Sequence, residues 1–188
     1  MNPFVDSRIP QGAEVYVLLG TLLGAAFGGL IVLFIAGDML SDPGGIQGIL
    51  LLVAWLALPL LLSMLALVRP AAAYPALLVV VGLVLLASLV AIPLAGQVWE
   101  FEDTHGPINL MVILGALIPL IALGRAWPAR AGWLMITLIA GFVLLQSVSL
   151  LVVGQWSVIL VFAVLMPPFI AVAILFAVAG VKAKAVIG

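Results

Sequence analysis

The groups best suited to chemistry sit together between Gly96 and Asn109, in the run GQVWEFEDTHGPIN. Glu100, Glu102, Asp103 and His105 put three carboxylates and the chain's single imidazole within six residues. Imidazole and carboxylates together suit zinc or manganese, so these four residues form a candidate metal set. A neutral imidazole at a membrane edge is also a candidate haem or pigment ligand, which would give His105 that role. One histidine cannot supply both axial positions, but Met39 or Met111 would complete a His–Met pair. The same acidic run would also serve as a docking surface for a cationic partner. A plainer reading competes with all three. Asp-Thr-His-Gly-Pro ahead of an apolar run is the chemistry of a helix start, with Asp103 or Thr104 as the cap.

What must position these residues is a membrane protein. The chain has 188 residues, 67% of them apolar and 7% charged, and its mean hydropathy is +1.49. Too few polar residues remain to cover a water-facing surface, so lipid is the solvent. The six Lys and Arg against seven Asp and Glu leave no basic stripe of the kind nucleic acid requires. With no cysteine there is no disulfide, thiolate metal site or thiol nucleophile. The N-terminal MNPFVDSRIPQGAE reads as retained rather than as a signal peptide, because the apolar run after it exceeds a signal core of about 7–15 residues.

A spanning helix needs about 20 mostly apolar residues. Six segments qualify, at roughly 13–36, 46–68, 75–95, 107–123, 132–153 and 156–179. The fold class is therefore all-α, a single polytopic domain of six transmembrane helices paired as three hairpins. The breaks carry turn chemistry: Ser41-Asp42-Pro43-Gly44-Gly45, Arg69-Pro70, the acidic run, Arg125 to Arg130 around Pro128, and Gly154-Gln155. In this topology Arg8, Arg69, Arg125, Arg130, Lys182 and Lys184 all fall on one side. Asp38, Asp42, Glu100, Glu102 and Asp103 fall on the other. The positive-inside rule then puts both termini in the cytoplasm, with a bacterial inner membrane as the expected location. Gly37, Gly96 and Gly154 recur about 60 residues apart, and Pro59, Pro119 and Pro168 recur inside the second helix of each pair. That pattern suggests an internal three-fold repeat.

Inside the spans the sequence offers little reactivity. No Asp, Glu, Lys, Arg or His lies well within any segment, which argues against proton relays, ion coupling and intramembrane catalysis. No catalytic constellation or phosphate-binding loop is present, so no enzyme is expected. Gln146 is the most polar intramembrane side chain, a candidate quinone or pigment contact or simply a bond to a neighbouring helix. Gly20, Gly24 and Gly28 share one helix face and are candidates for an interface with a second chain or for packing inside the bundle.

The span from Gly96 to Gln146 has HGPIN at a helix start, a following helix closing at Arg125 and another running to LLQ. It resembles small uncharacterised bacterial polytopic membrane proteins, loosely similar to cytochrome b561-type bundles. The resemblance implies a bacterial inner-membrane helical bundle in which a histidine such as His105 can hold haem. From the residues themselves no cofactor is expected. The leading expectation is an accessory subunit of a respiratory or photosynthetic membrane complex, packed against lipid and other integral subunits. The alternative is a binding protein or passive transporter for an apolar molecule such as a quinone, lipid, haem or carotenoid, in a cavity near Pro59, Pro119 and Pro168.

Overall fold

The computed structural model describes residues 12–41, 45–98, 100, 108–154 and 162–185. Long apolar runs without charge leave helix as the structure that satisfies every backbone group internally, and no strand occurs among the described residues. The helices are α1 (Ala13–Met39), α2 (Gly45–Val68), α3 (Pro70–Ala91), α4 (Ile108–Gly124), α5 (Pro128–Val153) and α6 (Pro167–Ala185). A 3-10 turn at Ile92–Leu94 carries α3 onward, so that apolar helical structure runs from Pro70 to Val98. A helical turn from Phe162 likewise precedes α6. Five of these spans are long and apolar enough to cross a membrane, and α4, at 17 residues, is shorter.

Prolines set several starts. Pro70 and Pro128 stand at the first helical position of α3 and α5, where the missing N–H costs nothing. Pro75, the expected start of the third span, lies inside α3 instead. Gly154 ends α5 with φ of 78°, a left-handed conformation that favours glycine, and its N–H donates to the Leu150 carbonyl at 2.8 Å.

The shortest helix is the central one. Ten of the residues of α4 are buried, including Leu110, Ile113, Leu114, Leu117, Leu120 and Leu123. It packs against α1, α2, α3 and α5. At about 1.5 Å per residue it spans only ~25 Å, less than a ~30 Å hydrocarbon layer. Surrounding protein can shield its ends from lipid, the condition under which a short or broken helix is tolerated at membrane depth. The most extensive packing joins α6 to α5 and α1, and α2 to α4. The three sequential pairs do not pack alike: α5 and α6 make a large interface, α3 and α4 a smaller one, and α1 barely touches α2. A shared hairpin geometry, as an internal repeat would provide, is not seen.

Close approach depends on small residues. A Cβ at Gly20 would lie 2.8 Å from Phe176 Cε1, and one at Gly24 would lie 2.9 Å from Ile121 Cδ1. Phe176, fully buried, also lies against Gly124, so α1, α4 and α6 meet around one ring. A Cβ at Gly132 would fall 2.6 Å from the Ala177 nitrogen and 2.8 Å from the Ala173 oxygen. Here the neighbour is the α6 backbone, which cannot turn aside.

Candidate functional site

Of the candidate metal set, only Glu100 lies among the described residues, where it is exposed and helical. Glu102, Asp103 and His105 fall outside the described residues. Among the described residues no group of three or more His, Cys, Asp or Glu gathers in a metal-binding arrangement. The acidic run is, however, tied into the bundle at its far end. Asn109, in the first turn of α4, accepts a hydrogen bond at 2.7 Å from Gln146 Nε2 on α5. Gln146 is 8% exposed. In lipid an amide has no water to turn to, so two amides on facing helices satisfy each other. In the sequence Asn109 only closes the polar run at the start of the fourth span, with nothing there to single it out. The usable signal was a second amide, Gln146, facing it from another apolar segment.

A double-mutant cycle with Asn109→Leu and Gln146→Leu is expected to return a coupling of about 0.6 kcal/mol, the usual scale for such bonds in bilayers. Reversible unfolding in mixed micelles reads it directly. A coupling of zero would mean that the amide pair does not hold α4 to α5.

Four other intramembrane hydroxyls are consumed locally. Thr21, Ser63, Ser88 and Ser147 each donate to the carbonyl four residues earlier, at 2.7–2.9 Å. Such bonds occupy the hydroxyl inside its own helix. Trp55 on α2 donates through Nε1 to the Met111 carbonyl of α4 at 3.0 Å, a link between helices that the sequence did not announce. No buried side-chain nitrogen or oxygen among the described residues lacks a partner. That interior is a packed and satisfied one.

Gly20, Gly24 and Gly28 divide. The first two face Phe176 and Ile121 of the same chain, while a Cβ at Gly28 would meet nothing within 4 Å. Pro59 and Pro119 are both buried, and Pro59 lies 3.6 Å from where a Gly115 Cβ would stand. A groove of about 420 Å³ opens elsewhere, between α5 and α6. Its walls are Ile136, Ile139, Ala140, Val143, Leu144 and Ile170 with Ala173, and its polar side chain is Ser147. That hydroxyl is already bonded to Val143. The groove offers shape and apolar surface to a ligand, with no charged group to select one.

No family model matches the chain, and no curated protein or solved structure matches it either.

Proposed function

We propose that this chain is a structural integral-membrane subunit, packed against other membrane proteins in a larger bacterial complex of the respiratory or photosynthetic kind. The observation that carries this reading is α2. That helix has 24 residues, yet only Gly48, Pro59 and Ala66 are buried. Ile46, Leu50, Leu58, Leu61, Met64 and Val68 are all exposed. It is held to α4 along one side and leaves the rest of its apolar surface uncovered. In lipid, helices are joined by close packing rather than by hydrophobicity, so that open face gains contacts only from a further helix. A second chain packed on α2 would supply the missing contacts. The satisfied interior and the absence of charge within the spans support a packing role over a chemical one. On this reading the cationic helix ends face the cytoplasm.

Photo-crosslinking from positions 58 and 61 in native membranes tests it. A discrete adduct with one membrane protein is expected from α2 positions. Lipid adducts alone, from α2 and from Leu33 of α1 alike, would contradict it.

The groove between α5 and α6 favours a second reading, in which the chain binds an apolar molecule such as a quinone, lipid or carotenoid. Filling the groove with Ala140→Phe would then abolish retention of that molecule. A haem held by His105 belongs to the same class and would announce itself as a Soret band that His105→Ala removes.

A further inference from the structure

One end of the bundle brings cationic side chains and aromatic rings together. The Arg130 guanidinium carbon lies 4.2 Å from the Trp127 ring centroid and 5.0 Å from that of Tyr74. The two rings meet edge to face, 6.0 Å apart at 64°. Beside them, Lys182 Nζ lies 4.3 Å over the Tyr16 ring and donates to its hydroxyl at 2.8 Å. Gly180 of α6 is seated against Ala129 of α5, so the two cation–aromatic groups belong to neighbouring helix ends. Arg69 directly precedes α3, whose first turns carry Tyr74, and Arg125 stands two residues before Trp127. Arg69, Arg125, Arg130 and Lys182 are exposed, and the one acidic residue at this end among the described residues is Glu14.

We infer that this end binds the phosphate of an anionic phospholipid headgroup, with Arg130 as the principal ligand and Trp127 and Tyr74 as its supports. Among the described residues the guanidinium meets these two rings and no carboxylate. Ring contacts limit its rotamers without hydrogen-bonding its N–H groups, which stay available as donors. Those donors form a fork that fits phosphate with two parallel bonds. Tyr and Trp mark the headgroup level of a bilayer, so the guanidinium is held at the depth where lipid phosphates lie. The charge balance selects the headgroup class. Arg69, Arg125 and Lys182 attract a lipid with net negative charge and repel the ammonium of a zwitterionic one. The inference does not depend on the chain being a subunit of a complex.

The test is native mass spectrometry on protein taken from bilayers of phosphatidylcholine with a minor fraction of phosphatidylglycerol. Phosphatidylglycerol should stay bound through delipidation in preference to phosphatidylcholine. Arg130→Gln should weaken its retention about tenfold, the scale of one lost charge-assisted contact. Arg130→Lys keeps charge but loses the fork, and should fall between. Melting in pure phosphatidylcholine gives each form's baseline, including the ring contacts that Arg130→Gln loses. The rise in melting temperature on adding phosphatidylglycerol should be largest for the native chain, which separates lipid binding from folding. If Arg130→Gln did not fold, the Arg130→Lys comparison would carry the test. Equal losses for Arg69→Gln and Arg130→Gln would overturn the site in favour of diffuse attraction. Inorganic phosphate raising the melting temperature in pure phosphatidylcholine through Arg130 would overturn the lipid as source.

Discussion

Gly132→Ala is expected to destabilise the bundle by about 3 kcal/mol, at the upper end of what inserting one methyl into a packed core costs. The added carbon would fall on the Ala173 oxygen and the Ala177 nitrogen. To admit it, α6 must move as a unit away from α5, across the most extensive interface of the fold. Two controls grade the effect. At Gly141 the obstacle is the Leu85 side chain, whose methyls can rotate away, so Gly141→Ala should cost about 1 kcal/mol. At Gly28 nothing stands within 4 Å, and Gly28→Ala should be neutral within about 0.5 kcal/mol. Reversible unfolding in mixed micelles would rank the three. Equal effects at Gly132 and Gly28 would mean that α5 and α6 do not meet as described.

Phe176→Ala is expected to cost about 2 kcal/mol. In a water-soluble core the figure would be larger, because exposing the ring in the unfolded state adds a transfer term. In lipid the unfolded helices are still in an apolar solvent, so that term largely vanishes. What remains is the void, on the order of 100 Å³ at ~24 cal/mol per Å³. Phe176 is fully buried between Gly20 and Gly124, which makes the loss dependent on those neighbours. Gly20→Ala should destabilise the native sequence by about 2 kcal/mol through its clash with the ring. In a Phe176→Leu background the clash is eased, and the cost of Gly20→Ala should fall by at least about 0.5 kcal/mol. Strictly additive effects in that cycle would separate α1 from α6.

The sequence was legible where lipid imposes its rule most directly. Uninterrupted apolar length marked the helices, and Pro70, Pro128 and Gly154 marked ends that the structure places at or next to those residues. Which helix lies in the middle was not legible. In water a buried face is apolar and an exposed face polar. In lipid both are apolar, so α4 and α2 read alike although one is the core and the other mostly exposed. The signals that survive are small residues and paired amides. Gly20 and Gly24 pointed to close packing, yet not to Phe176 and Ile121 as partners. Gln146 stood out, but its partner Asn109 was hidden in a polar run. Similar hairpin sequences do not fix which helices pack together: α1 packs on α6 and α4 and hardly on α2. Sequence neighbours need not be spatial neighbours when every helix is soluble in the same medium.

The subunit reading, in which α2 offers its exposed face to another chain, has one most direct test. The full chain would be extracted in mild detergent through a tag and examined by native mass spectrometry and absorption on the same sample. A structural subunit requires stoichiometric membrane proteins to travel with it, and requires their loss when Leu58 and Leu61 are replaced by glutamine with the bundle still folded. A lone, colourless and folded chain from native membranes would contradict that role and leave the α5–α6 groove as the site to probe.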